Sequence, residues 1–183
     1  MMIERIVSGA VGLVKKIIGY YVTRTVEAVK YLGRLLFCVG VNIVIMPSIA
    51  FITMLVMKHF GIYGPDNGEG LPFDTSDPIM VVGAMFLVGV FEEVYFRYFV
   101  MDCMLIRWLK SPVWLAVTLS SVVFGAAHLM NPGGWHVTLP QAVGAIGAGF
   151  WFAHVYRKYG LHMGILTHAL YNSAVILIST LFQ

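Results

Sequence analysis

Charged residues are scarce in this sequence. Lysine, arginine, aspartate and glutamate make up only 11% of its 183 residues, whereas 59% of the residues are hydrophobic. A soluble domain of average composition has about 25% charged and about 45–50% apolar residues. The composition therefore excludes an ordinary soluble domain and predicts an integral membrane protein, in contact with a lipid bilayer.

Cysteine is also scarce, and positive charge is not gathered into a patch. The two cysteines, Cys38 and Cys103, both lie in apolar stretches, so we expect no disulfide framework. The formal net charge is only +3, and the basic residues flank apolar segments. This distribution is typical of membrane topology, and we expect no nucleic-acid partner.

Long apolar runs dominate the rest of the chain. A helix needs about 20 residues to cross a hydrocarbon core of about 30 Å. Five segments meet this length: 35–57, 78–109, 112–130, 139–156 and 161–182. Pro78, Pro112 and Pro140 lie near predicted helix starts, where a missing N–H costs least. Since irregular backbone cannot face lipid, we predict an all-α fold, a polytopic transmembrane helix bundle of about five spans.

The N-terminal segment, residues 1–34, has a different pattern. Its apolar residues recur at helical spacing, but basic residues interrupt them. We therefore predict an amphipathic interfacial arm at 1–34, followed by a transmembrane bundle at 35–183. The basic connections fall on one side of a five-span bundle, so the positive-inside rule places the N-terminus in the cytoplasm.

The second span carries three charged residues within the stretch VFEEVYFRYF. Charges at membrane depth usually face a bundle interior or an aqueous cavity and indicate function. Glu93 and Arg97 are four residues apart, so they share a helical face and can pair. Glu92 lies about 140° around the helix from Arg97 and remains available. The alternatives are a structural ion pair that locks two helices, or a proton or ion relay.

Polar groups on the third and fifth spans complete a candidate site. Phe124 and His128 are four residues apart, as are His168 and Asn172, so each pair shares a helical face. Glu92 and His128 are each 18 residues from the turn near Lys110, about 27 Å along a helix, so we expect them to meet. Taken singly, each histidine could be a hydrogen-bonded bundle residue, and Asn172 could join helices.

Other polar residues receive structural interpretations. We expect His136 to lie in a loop and His154 to have a packing or interfacial role beside the aromatic FWFA stretch. Asp102 and Arg107 are five residues apart and should pair only poorly in an α-helix.

Three short motifs resemble those of a known family. EEVYFR is similar to the EExxxR motif, FGAAH to the FxxxH motif and HALYN to the HxxxN motif of the CPBP group, the CAAX proteases and bacteriocin-processing enzymes, also called the Abi family. Their order and spacing agree, and the resemblance covers about residues 78–175. It departs from the family pattern at Tyr98, where many members have glycine.

The resemblance implies a glutamic-type intramembrane endopeptidase. Glu92 would be the base that activates water, His128 would assist, and His168 and Asn172 would stabilise the oxyanion. Glu93, Arg97 and Phe124 would support them. No cofactor is expected. The alternative is a divalent metal such as zinc, held by Glu92, His128 and His168, although the sequence has no HExxH pair.

The resemblance also bears on the substrate and the setting. We expect a prokaryotic plasma-membrane protein that cleaves a membrane-associated peptide or protein, such as a bacteriocin leader or a C-terminal sorting tail, rather than a prenylated substrate. A non-catalytic binding, immunity or scaffold protein of the same fold is the main alternative. A proton-coupled carrier fits poorly, because the chain shows no inverted repeat.

Overall fold

The described part of the chain, residues 2–62 and 77–181 of a computed structural model, is a set of helices with no strand. The elements are α1 (Met2–His59), α2 (Pro78–Glu92), a π-helix (Glu93–Trp108), α3 (Val113–Ala127), a 3₁₀ turn (His128–Met130), α4 (Trp135–Tyr159) and α5 (Leu161–Leu181). The prediction of an all-α fold is confirmed.

Four helical stretches of the described residues are long and apolar enough to cross a membrane. They are Val11–His59, Ile79–Trp108, Val113–Met130 and Leu161–Ile178. The fourth predicted span, 139–156, is now part of α4 and is not among them. Helix α4 ends with the charged residues Arg157 and Lys158 in its last turn. The chain is an integral membrane protein with a helical bundle.

Helix α1 runs without a break through residue 34, where the sequence predicts the boundary between arm and span. By their contacts, residues 1–37 form one unit and residues 38–183 another. In the first unit, Val14, Ile18 and Leu32 are exposed apolar residues. The arm and its boundary at residue 34 stay predictions.

Helix α2 begins with a cap that the sequence encodes locally. The Asp77 carboxylate accepts hydrogen bonds from the N–H groups of Ile79 (3.0 Å) and Met80 (3.1 Å). Pro78 follows at the first helical position, where no donor is lost. Most of the predicted polar loop before Asp77, residues 63–76, lies outside the described residues.

A π-helix replaces the α-helix from Glu93 to Trp108. Its backbone bonds join residues five apart, and π-helical turns often occur at functional sites. Residues five apart therefore share a face, and Arg107 pairs with Asp102 at 2.6 Å. Our prediction that these two residues pair poorly was wrong, because it assumed α-helical geometry. Asp102 also accepts a hydrogen bond from the Tyr156 hydroxyl at 3.1 Å.

Helix α4 begins at Trp135, earlier than predicted. Pro140 therefore lies inside the helix rather than near its start, and His136 lies in its first turn rather than in a loop. Gly160 alone connects α4 to α5, with a φ of 88° that glycine adopts without strain. The chain reverses at this residue, so α4 and α5 are antiparallel neighbours.

The core of the bundle is aromatic where it adjoins the candidate site. Phe96, Phe124, Phe152 and Tyr171 form one buried cluster with Ala145 and Ala148. On the other side of the cluster, α2 and α5 cross closely at Gly89. A Cβ atom there would lie 2.9 Å from the backbone of Ala169, so only glycine permits this approach. The crossing brings the end of α2 against His168.

Candidate active site

His168 lies between the two neighbouring glutamates of the second span. Its Nε2 atom is 3.3 Å from Oε2 of Glu92, and its Nδ1 atom is 3.0 Å from Oε1 of Glu93. A neutral imidazole has one donor and one acceptor nitrogen, whereas an imidazolium donates from both. His168 thus has each of its two ring nitrogens within 3.3 Å of a carboxylate oxygen.

The two carboxylates differ in their access to solvent. The side chain of Glu93 is fully buried, whereas that of Glu92 is 26% exposed. Arg97 lies one turn beyond Glu93, with its Nε 3.6 Å from Oε1 of Glu93, and is also fully buried. The helical-wheel prediction that Glu93 faces Arg97 agrees with this placement. Of the two glutamates, Glu93 is therefore the buried one and Glu92 is the one that solvent can reach.

Polar and aromatic neighbours hold the Arg97 guanidinium. Its Nη1 donates to the Ser120 hydroxyl (3.3 Å), which in turn donates to the carbonyl oxygen of Phe96 (2.9 Å). The ring of Phe124 lies 4.7 Å from the guanidinium carbon, within the range of a cation–π contact. The cost of desolvating this charge is thus partly offset by the ion pair with Glu93, the hydrogen bond to Ser120 and the cation–π contact with Phe124.

Two aromatic rings fix the plane of the His168 imidazole. Phe152 of α4 stacks on it with ring centroids 4.1 Å apart, and Phe124 of α3 meets it edge-on at 5.6 Å. Phe124 was predicted as a supporting residue of the site, whereas Phe152 and Ser120 were not predicted to belong to it. The only signal for Phe152 was its place in the FWFA stretch, which does not distinguish a core ring from a site wall.

His128 does not contact Glu92 among the described residues. The antiparallel register, in which Phe96 packs on Phe124, places the two residues at about the same level, as expected from counting. The His128 Nδ1, however, lies 2.9 Å from the carbonyl oxygen of Phe124. Since a carbonyl only accepts, Nδ1 is the donor in this contact. The expected meeting of Glu92 with a histidine involves His168 instead.

Asn172 lies one turn beyond His168 on α5, but its side chain contacts α2. Its Nδ2 atom is 3.5 Å from the carbonyl oxygen of Met85, at the limit of a hydrogen bond. Glu92, Glu93 and His168 are therefore in direct contact, His128 joins them through Phe124, and Asn172 lies beside them. His154, for which we predicted packing or an interfacial role, stacks on Trp151 at 5.4 Å.

A comparison with known protein families identifies the family of this chain. A family model described as type II CAAX prenyl endopeptidase Rce1-like matches residues 74–174, more than half of the chain. The chain belongs to this family. No curated protein and no solved structure matches it.

Membership in the Rce1-like family agrees with the resemblance of the three motifs to CAAX proteases, and it supports protease activity at the level of the family. The matched range contains every predicted site residue: Glu92, Glu93, Arg97, Phe124, His128, His168 and Asn172. The matched range begins after α1, which ends at His59.

The donor groups do not form a three-ligand metal site as they are placed. Among the described residues, no group of three or more His, Cys, Asp and Glu side chains is arranged to hold a metal ion. Glu92 and His168 are close, but the Nδ1 of His128 is directed at a backbone carbonyl. The residues therefore do not fit the predicted zinc alternative in this arrangement.

Proposed function

We propose that this Rce1-like protein is an intramembrane endopeptidase that hydrolyses a peptide bond in a membrane-associated peptide or protein. The observation that carries the proposal is the contact of His168 with both glutamates at membrane depth. A helix that only needed an ion pair would be served by Glu93 and Arg97. The second, partly exposed carboxylate has no structural need to lie there.

The different environments of the glutamates support different roles. Glu92 is the reachable carboxylate, and it acts as general base on a water molecule. Glu93 is buried with Arg97 and holds the Nδ1 side of His168, so it acts as a positioning residue. A carboxylate that holds one nitrogen of an imidazole fixes the direction of the other nitrogen, here toward Glu92.

The proposed reaction proceeds through a tetrahedral intermediate. Glu92 takes a proton from water while the water oxygen bonds to the carbonyl carbon of the scissile peptide. His128 assists by accepting a hydrogen bond from this water at Nε2. The carbon–nitrogen bond then breaks, and the proton held by Glu92 passes to the leaving nitrogen. One water is consumed, and a carboxylic acid and an amine are formed.

His168 and Asn172 are proposed to stabilise the negative charge on the carbonyl oxygen. Donors directed at a developing oxyanion each contribute on the order of 3–4 kcal/mol of transition-state stabilisation. The bond from Asn172 to Met85 is long, so the carboxamide can exchange this backbone carbonyl for a substrate oxygen at small cost. His168 is held by Glu93 and by two rings, which preorganises its Nε2.

For the substrate, we propose a membrane-anchored peptide in a prokaryotic plasma membrane, with the N-terminus of the protease in the cytoplasm. Clusters of basic residues at one set of helix ends support this orientation. We propose no cofactor.

The test compares protein termini in membranes of native-host cells that express the wild-type chain or the Glu92→Gln variant at matched levels. Glu27→Gln is the matched control, because it removes the same charge at an exposed position that pairs with Arg24. New termini should appear with the wild type and the control but not with Glu92→Gln. If the three membranes have the same termini, the protein is a non-catalytic binding or immunity protein.

A further inference from the structure

Three fully buried polar side chains of the bundle make no hydrogen bond within the described residues: Asn42 on α1, Ser121 on α3 and Thr167 on α5. The oxygen and the nitrogen of Asn42 are both unpaired, and so is the hydroxyl of Thr167. Burying a polar group without a partner costs roughly 1–3 kcal/mol. Buried polar groups in native proteins are therefore almost always hydrogen-bonded to protein or to ordered water.

The directions of the helices follow from contacts that the structure records. Trp151 of α4 donates to the carbonyl oxygen of Cys38 at 2.9 Å, whereas Gly144, earlier on α4, lies against Met46, later on α1. Helices α1 and α4 are thus antiparallel. Since α4 and α5 are also antiparallel, α1 and α5 run in the same direction.

This shared direction brings Asn42 and Thr167 to the same level. The hydroxyl of Tyr171 donates to the sulfur of Met46 at 2.9 Å, which fixes the register of α1 on α5. Asn42 lies four residues before Met46, and Thr167 lies four residues before Tyr171. Because residues four apart share a helical face, both side chains occupy the same side of the contact between α1 and α5.

Helix α4 forms the third side of the space between α1 and α5, and its side chains there are small. Between its contacts with α1 at Trp151 and Gly144, α4 carries Ala148, a small and fully buried residue. A side chain of this size fills little of the space between the three helices. A buried water typically makes about three hydrogen bonds, and Asn42 and Thr167 together offer three N–H or O–H donors and two acceptor oxygens.

We propose that Asn42 and Thr167 hold a buried water molecule between α1, α4 and α5, one residue before His168. The water accepts from the Asn42 amide and donates to the Thr167 oxygen. It ties α1, which lies outside the Rce1-like segment, to the part of α5 that carries the candidate site. This inference does not depend on the proposed protease activity.

The first test is thermal unfolding of the purified full chain with Asn42→Leu, Thr167→Val and both changes together. If a water joins the two residues, each single variant leaves one buried polar group without its partner, and Tm falls by about 2–4 °C. The double variant removes both groups and should recover most of that loss. If each single change raises Tm and the changes add, no such link exists and the proposal is wrong.

The second test separates a bridging water from a direct bond between the two side chains. X-ray radiolysis converts bound water to hydroxyl radicals, and labelling in ¹⁸O-water marks the neighbouring side chains that they oxidise. Tyr171 is the reporter, one turn from the site, and the fully buried Met101 is the internal reference. We expect Tyr171 to be labelled in the wild type and far less in the double variant. If the Tm changes at the two positions are coupled but Tyr171 is not labelled, a direct hydrogen bond joins the two side chains and the water is not present.

Discussion

The Nε2 atom of His168 lies 3.3 Å from Oε2 of Glu92, while the opposite nitrogen of the same ring lies 3.0 Å from Glu93. Adjacent residues on a helix point about 100° apart, so only a partner seated between their directions can contact both. The close crossing of α2 and α5 at Gly89 places His168 in this position between the two glutamates. The geometry of the candidate site thus depends on a backbone contact about one turn away.

Loss of the Glu93 carboxylate is expected to destabilise the protein more than loss of the Glu92 carboxylate. Glu93→Gln leaves the buried Arg97 without its counter-charge, and breaking a buried pair in this way costs on the order of 3–5 kcal/mol. Glu92 is partly exposed, so Glu92→Gln should change Tm little. Thermal unfolding of both variants in detergent measures the difference. Equal Tm values would show that Arg97 does not rely on Glu93.

Gly164→Ala should reduce peptide cleavage without unfolding the protein. A Cβ atom at this position would lie 3.1 Å from Oε2 of Glu93, so the carboxylate must shift and carry the His168 imidazole with it. A misplacement of about 1 Å can cost about 100-fold in rate, so a shift of a few tenths of an ångström should cost up to about 10-fold. Rates of cleavage of an identified substrate measure the effect.

Gly83→Ala on α2 is the control for this change, because a Cβ atom there meets nothing within 4 Å. It should leave the cleavage rate unchanged and favour the helix slightly. Equal rates for wild type, Gly164→Ala and Gly83→Ala would mean that the position of Glu93 does not matter for cleavage.

Removal of divalent metal should leave cleavage unchanged. Glu92, His128 and His168 are not arranged as three ligands, so the proposed reaction relies on side chains alone. The measurement is the cleavage rate of purified protein before and after dialysis against a strong chelator. A loss of activity that zinc restores would establish the zinc alternative.

The N-terminal arm is expected to lie at the membrane surface with its apolar face in the lipid. On a helical wheel Val14 and Ile18 fall on one side, and Lys16 and Lys30 fall on the other. In bilayers containing anionic lipid, spin labels at the first pair should respond most to oxygen, which concentrates in lipid. Labels at the second pair should respond most to a water-soluble nickel chelate. Uniform access of the nickel chelate to all four positions would place the arm in water.

The sequence predicts the helices well because their signals are local. Apolar length, the Asp77–Pro78 start and the three motifs indicate where each helix lies and which of its residues carry chemistry. The partner of each polar group is not a local property. Whether Glu92 meets His128 or His168 is decided by how closely α2 and α5 approach at Gly89, and by the Phe124 carbonyl, which takes the Nδ1 of His128.

The change of helix type after Glu92 was also missed, although the sequence carries a faint sign of it. Arg97, Asp102 and Arg107 recur every five residues, as do Phe96 and Met101, and this spacing fits a helix whose bonds join residues five apart. In an α-helix, residues five apart point about 140° away from each other, so this spacing does not define one face. Bond patterns of this kind depend on packing around the helix, so periodicity alone does not establish them.

The single-residue connection at Gly160 has a mechanical consequence for the site. Sliding α5 along α4 by one turn, about 5.4 Å, would require slack in the chain that one glycine does not supply. Phe152 and the imidazole stacked on it therefore stay in register as one body when other helices move. An opening that separates this hairpin from α2 would therefore part His168 from its glutamates before it parts His168 from Phe152.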